Sequence, residues 1–368
     1  MLFLILLITI MLLTAITVYN YFTAPRLCDG KENKAKVSIE KDPFISILIP
    51  ARDEESNIKD CIDSVLNQSY KNYELIILDD HSSDRTYEIA ESYCRDNNII
   101  SLYKGDLLPQ SWTGKNWACF QLAHRSKGEY LLFLDSDVRL SKEAVRSAIN
   151  LLYSHGASLL SVFPKLLCNS QGERLLVPLV NWFLLTFLPL KTVFTSKHHS
   201  VSAASGQFIL LRRDLYFKTG GHKAVASKIV EDMELARHFK KLGYRVLAVL
   251  GGDMVLCRMY YSLSSAFSGF TKNFYAGFDT PAFVFLLFLL GTEIIFLLPL
   301  FLMFFNPIYI ICAILIFTGR IIISLTNQSG IINNLLLHPF QMIMFFVIGI
   351  NSVYARHTKR TLWRGRKY

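Results

Sequence analysis

Three pairs of acidic residues stand where a chain can use them for chemistry. Asp135 and Asp137 follow the apolar run Leu131–Leu134, with one serine between them. Asp79 and Asp80 close the stretch YELIILDD, and Glu231 and Asp232 open VEDMELARHFKKLG. Like charges this close repel, so solvent must cover them or a bound group must compensate. Carboxylate oxygens suit hard divalent cations such as Mg2+ and Mn2+, which keep further positions for phosphate and water. Such a cation acts as a Lewis acid when a bond to a phosphate oxygen breaks. A carboxylate opening a helix can serve as a general base. The same charge is favourable at a helix N-terminus without any chemistry. Lys115, after Gly114, can reach a diphosphate or stand solvated.

The elements around these residues alternate. FISILIP reads as a buried strand, and DEESNIKDCIDSVLNQ as a helix with Ile58, Ile62, Val65 and Leu66 on one face. YELIILDD is a second strand and SSDRTYEIAESYCRDN a second helix, with Ser and Asp as caps. The strand IISLYKG, a loop SWTGKNW and a helix ACFQLAHRSKG follow, then the strand that ends in Asp135. This alternation predicts an α/β fold with a mostly parallel sheet and helices on both faces. Ligands of such sheets bind at the carboxyl ends of the strands, where Asp79 and Asp135 are placed.

SILIPARDEESNI, LDDHSSDRT, TGKNWACFQLA, LDSDV, SGQFILLRRDLYFKTGGH and EDMELARHFKKLGYRV, in that order, resemble family 2 glycosyltransferases with the Rossmann-like GT-A fold. RMYYSLSSAFSGFTKNFYAGF before the C-terminal apolar segments is most similar to members acting on isoprenoid lipids, including carotenoid acids such as diaponeurosporenoate, and hopanoids. The resemblance implies an inverting, single-displacement transfer of one sugar, glucose by the same resemblance, from a UDP-sugar to a lipid. It implies a divalent cation, Mg2+ or Mn2+, with Asp137 as ligand and Asp135 facing the ribose or a metal-bound water. Pro50, Ala51, Arg52 and Glu54 match the first nucleotide loop, Asp79 and Asp80 the nucleoside site, and Lys115 the diphosphate. Asp232 matches the general base, beside Glu231. His81 stands where the family has glycine, and the QxxRW of processive members is missing. Lys272 and Arg258 are then candidates to neutralise the diphosphate. His222 is placed in a turn near the acceptor or in a plain structural loop, and His198 and His199 on the surface. Transfer to polyprenyl phosphate or diacylglycerol, nucleotidyl transfer, and an inactive membrane adaptor are the competing readings.

Among the 368 residues, 52% are hydrophobic and 18% charged, a balance that fits a folded polar part joined to membrane segments. Residues 2–19 are uncharged and long enough to cross a bilayer. The net charge of +10 gathers in two clusters beside apolar runs. One holds Arg26, Lys31, Lys34, Lys36 and Lys41, and the other Arg356, Lys359, Arg360, Arg364, Arg366 and Lys367. This is the charge pattern of membrane topology, with residue 26 onward cytosolic. No nucleic-acid module is visible, so nucleic acid is not an expected partner. Seven cysteines without CxxC spacing suit reduced thiols. The expected organisation is an anchor (1–21), a basic linker (22–43), a GT-A domain (44–279), a transmembrane region (280–355) and a basic cytosolic tail (356–368). Residues 175–195, with two prolines and Asn181, are expected on the membrane surface. Three full spans after residue 280 would leave the basic tail outside, so one of the last two is expected to be re-entrant or interfacial.

Overall fold

The apolar runs become strands: β1 (Ile45–Ala51), β2 (Tyr73–Asp79), β3 (Ile100–Lys104) and β4 (Tyr130–Leu134). Downstream lie β5 (Val138–Leu140), β6 (Leu159–Phe163), the two-residue β7 (Lys165–Leu166), β8 (Phe208–Arg212), β9 (Val246–Leu250) and β10 (Val255–Cys257). The computed structural model describes residues 1–28, 42–278, 280–358, 362–363 and 366–367. Four lysines of the basic linker (Lys31, Lys34, Lys36, Lys41) lie outside the described residues, as do Lys359, Arg360 and Arg364 of the tail.

By contact density the chain divides into two compact units: residues 25–165 with 191–257, and residues 1–24 with 166–190 and 258–368. The catalytic stretch drawn from the sequence at 44–279 is therefore interrupted, and its last part belongs with the apolar helices.

The first unit is built on a seven-stranded sheet of order β3-β2-β1-β4-β8-β6-β9. β1 runs parallel to both β2 and β4, and β8 runs antiparallel to β4 and β6. Every residue of β4 is buried, the signature of a strand covered on both faces. The order β3-β2-β1 reverses at β4, so a crevice opens at the carboxyl ends of β1 and β4. Ala51 pairs with Asp79 in register, and Asp135 comes directly after β4. Because β8 is antiparallel, its amino end meets the same edge, where the Asp135 amide donates to the Gln207 carbonyl at 3.1 Å.

Two local expectations need correction. The helix Ile58–Leu66 buries Cys61 rather than Leu66 with Ile58, Ile62 and Val65. The helix before β4 starts at Gly114, not at Ala118, so half of SWTGKNW is helical. Thr113 is its N-cap, its side chain accepting from the Asn116 amide. Asn116, fully buried, donates its side-chain amide to the carbonyls of Val225, Ala226 and Lys228 at 2.8, 3.0 and 3.1 Å. That fork ties a distant loop to the helix carrying Lys115 and satisfies three backbone acceptors at once.

The other unit is helical. Four of its helices, Leu2–Thr23, Ala282–Leu302, Pro307–Thr326 and His338–His357, are long and apolar enough to cross a membrane. Residues 178–187, expected on the membrane surface, form a helix that buries Trp182 and Leu185 inside this unit. Its end is held by Asn20, whose side chain donates to the carbonyls of Leu185 and Leu188 and accepts from the Leu190 amide. Levels along the helices are fixed by contacts. Phe3 touches Tyr309, and Thr14 bonds the Leu315 carbonyl, so Leu2–Thr23 and Pro307–Thr326 run parallel. The chain then turns back: Asn334 donates to Ser324, and His338 lies against Phe317 and Phe296. The helix His338–His357 starts at that depth and runs antiparallel to Ala282–Phe296, Gly349 against Leu289 and Ser352 bonding the Tyr275 amide. Pro339 sits in its first turn, where a missing N–H costs nothing.

Candidate active site

Four side chains from three sequence motifs meet at the carboxyl edge of the sheet. Lys115 places its Nζ 2.8 Å from Asp135 Oδ2 and 3.1 Å from Glu231 Oε1. Asp232, next in the chain, accepts from the Gly206 amide at 2.7 Å and from the Met233 amide at 2.7 Å. Gly206 permits this approach. A Cβ there would stand 3.0 Å from Lys115 Nζ, 3.1 Å from Glu231 Oε1 and 3.4 Å from Asp232 Oδ2.

Burial and neighbours set the charges. Lys115 is held well above its ordinary range: burial pulls it down, but Asp135 and Glu231 outweigh burial. Glu231 is lowered, because Lys115 overcomes the upward push of burial. At Asp135 the balance is reversed, and burial raises it despite Lys115. Burial lifts Asp232 to about 7, with Glu231 adding to it. Asp137 also rises to about 7, from burial first and then from Asp135 and Glu54. The site thus sets Glu231, held as an anion, against Asp137 and Asp232, poised to change state near neutrality.

Asp137 has the features of a cation ligand. Its Oδ1 is buried and without a hydrogen-bond partner. Among the described residues no three His, Cys, Asp or Glu side chains gather into a complete cage. Mg2+ and Mn2+ suit such a place, since one or two carboxylates plus phosphate and water hold them. Asp137, with Asp135 beside it, fits that donor set.

Residues 46–219 match the family model described as Glycosyl transferase family 2. They form a family 2 glycosyltransferase domain. The chain is 31% identical over 243 residues to the 4,4'-diaponeurosporenoate glycosyltransferase of Staphylococcus haemolyticus, covering 65% of this chain and 63% of that protein. It is 29% identical over 250 residues to the protein of the same name from Staphylococcus aureus strain USA300, covering 66% and 64%. The alignments span less than two thirds of these relatives. The fold is similar to that of the mannosyltransferase PcManGT from Pyrobaculum calidifontis, solved with GDP-Man and Mn2+, with a TM-score of 0.54, 12% identity and 100% of both chains covered. The architecture is GT-A, as the motifs imply.

Within the family 2 domain the residues expected in the first nucleotide loop tie β1 to β2. Arg52 donates to the Asp80 carbonyl at 2.6 Å, and the Asp80 amide to the carbonyl of Ala51, next to Pro50, at 2.8 Å. Glu54 donates its amide to Thr86 and accepts from Asn57. Asp79 accepts from the Ser82 amide through Oδ2, while its Oδ1 is buried without a hydrogen-bond partner. Asp84 accepts from the amide and hydroxyl of Thr86 in the first turn of the following helix. His81 has φ 56°, the left-handed region, which explains why glycine suits this position.

Lys272 lies in the helix Leu263–Asn273 of the helical unit. Arg258, in the same unit, forms an ion pair at 2.9 Å with the fully buried Glu173. Burial would raise Glu173, but Arg258, the Asn169 amide and Ser170 hold it down at about 2. His222 is buried, its Nδ1 3.0 Å from the Tyr216 hydroxyl, and burial lowers it to about 4. His198 and His199 are exposed. All seven cysteines are free. Sequence reasoning missed Gly206, Gln207 and Cys257. Gln207 donates to Cys257 Sγ at 2.7 Å, beside Asp137. The only signal for Gly206 was its place in the motif SGQFILL.

Proposed function

We propose that the chain is a membrane-bound inverting glycosyltransferase. It moves a single sugar, glucose in our reading, from a UDP-sugar to an isoprenoid lipid, a carotenoid acid such as diaponeurosporenoate. The carrying observation is the Lys115 ammonium clasped between Asp135 and Glu231, with Asp232 alongside. The names of the staphylococcal relatives support the acceptor, and the apolar helices support a substrate that stays in the bilayer. The catalytic unit is assigned to the cytosolic face of the cell membrane, where sugar nucleotides are available.

In this reading an acceptor oxygen attacks the anomeric carbon, and the bond from that carbon to the diphosphate oxygen breaks, its electron pair leaving with UDP. A hydroxyl acceptor passes its proton to Asp232, whose carboxyl is aimed by the Gly206 and Met233 amides. A carboxylate acceptor has no proton to pass, and Asp232 then positions rather than deprotonates. Asp79, Asp80 and the loop from Pro50 to Glu54 line the nucleoside end. Lys115, held charged, steadies Asp135 and Glu231. A divalent cation on Asp137, when bound, supplies neutralisation of the departing diphosphate.

The test is mass spectrometry of lipid extracts from cells making a carotenoid acid, with and without this protein. The expected result is a new species heavier by one hexose, absent with Asp137→Ala. Absence of that species with the intact chain removes the carotenoid assignment. Labelled UDP-sugars offered to membranes then identify the acceptor.

A further inference from the structure

The loop between β3 and the helix Gly114–Arg125 carries an apolar tip that the transfer chemistry does not use. Its sequence is DLLPQSW, residues 106–112. Leu107 is 85% exposed, and the next most exposed large apolar side chain described in the first unit, Leu242, reaches 51%. Leu108, Pro109 and Trp112 beside it are half-buried. Both ends of the loop are held. The Gly105 amide donates to the Asp79 carbonyl at 2.8 Å, and the Asp106 amide to Gln121 Oε1 at 2.9 Å. The Trp117 indole N–H donates to the Asp106 carbonyl at 3.2 Å, and the Thr113 amide to the Ala226 carbonyl at 2.9 Å. The Trp112 ring packs on Trp117 and Phe120, each centroid 5.1 Å away. A fixed backbone thus presents Leu107 beyond the carboxyl end of β3.

A single exposed leucine is ordinary on a folded surface, but an apolar cluster with a polar rim marks a contact with something else. The rim here is basic. Lys104, at the end of β3, is exposed. So are Lys223 and Lys228, which flank the segment that Thr113 and Asn116 hold; Lys228 stands 3.9 Å from Glu234. Asp106 is the one acidic residue of the loop, and Arg125 stands 3.7 Å from its carboxylate. Leucine with tryptophan suits the zone between acyl chains and headgroups, and lysines beside it attract acidic headgroups. The tip is also too small for a stable protein interface, which takes roughly 20–30 residues a side. Four helices of the chain are long and apolar enough to cross a membrane, and in the membrane-bound reading they keep a bilayer at hand.

We propose that the tip at residues 107–112 dips into the headgroup layer of a bilayer and docks the first unit there, next to the helix that carries Lys115. The inference rests on the membrane-bound reading and on none of the transfer chemistry. The test uses the full chain in vesicles of equal parts phosphatidylglycerol and phosphatidylcholine. A photoreactive residue is placed at one position at a time, and adducts are identified by mass spectrometry. Leu107→p-benzoylphenylalanine should give about tenfold more lipid adduct than Leu242→p-benzoylphenylalanine, the factor expected for a leucine taken out of water. Leu242 is the control because it follows the helix Glu231–Lys241 and is itself exposed. Leu287, 52% exposed in the helix Ala282–Phe296, is the reference for contact with lipid. With the photoreactive residue at Gln110, Leu107→Asp should cut the lipid adduct about tenfold, and a substitution at so exposed a place leaves the fold intact. Adducts at 287 with none at 107, equal adducts at 107 and 242, or no effect of Leu107→Asp overturn the proposal and leave the membrane-bound reading standing. Adducts from 107 to a second copy of the chain in place of lipid overturn it too. No lipid adduct at 287 overturns the membrane-bound reading and this proposal with it.

Discussion

At the scale of single residues, the missing side chain of Gly206 matters as much as the charges around it. Lys115, Glu231 and Asp232 all approach within 3.4 Å of where its Cβ would be. Gly206→Ala must push the ammonium and carboxylates apart by a few tenths of an ångström. Turnover should fall about tenfold or more, because small misplacements of reacting groups are expensive. Steady-state kinetics beside a melting curve checks this, since a stability loss without a kinetic loss would contradict it. Asp232 makes a second prediction. Its carboxyl titrates at about 7, and a general base works only when deprotonated. With a hydroxyl acceptor the rate should fall about tenfold per pH unit below that value and level off above it. With a carboxylate acceptor that limb should be absent, and Asp232→Asn should keep activity on the acid while losing it on the alcohol. Equal losses on both acceptors would rule out the proton-transfer role.

At the scale of elements, the turn after β2 shows how a motif tolerates a departure from its family. His81 is exposed and carries φ 56°, a conformation costing a non-glycine residue about 1–2 kcal/mol. Glycine would relieve that strain but lose more entropy on folding, an offset of roughly 0.4–1 kcal/mol. His81→Gly should therefore stabilise the protein by about 0.5–1 kcal/mol, seen as a melting temperature raised by a few degrees. A lower melting temperature would mean that the imidazole makes a contribution its exposure does not suggest. The helix Gly114–Arg125 makes a related point. Its early start turns Lys115 from a loop residue into the second residue of a helix, anchored by Thr113 and Asn116.

At the scale of the whole molecule, the direction of the last helix decides where the basic tail goes. The helix His338–His357 begins beside Phe296 and Phe317 and ends past Ser352, which meets Tyr275 ahead of the span that starts at Ala282. We propose that it does not carry the chain to the opposite face, the arrangement expected from the charges. The residues after 356 should share a side with Tyr275, the side favoured for Arg and Lys near membrane spans. A fluorescent protein fused at the C-terminus should light up, and alkaline phosphatase at the same point should stay inactive. The reverse pattern would show that the last helix crosses.

The strands, their order of appearance, the carboxylates at their ends and the long apolar helices were legible in the sequence. Each depends on local pattern: apolar runs, alternation of period, and charge beside hydrophobic stretches. Asp135, Asp137 and Asp232 could be singled out because their motifs are short and contiguous. What remained hidden depends on approach between distant segments. No spacing tells that Gly206 must lack a side chain for Lys115 to reach Glu231, that Asn116 holds the loop at Val225–Lys228, or that Arg258 belongs to Glu173. The division into two units was hidden for the same reason. Residues 175–195 are apolar enough for a core or a membrane surface, and no sequence pattern tells that Asn20 bonds the Leu185 carbonyl or that Trp182 packs against Phe345. Hydrophobic pattern fixes which face is buried, whereas the partner on that face is set by tertiary contacts.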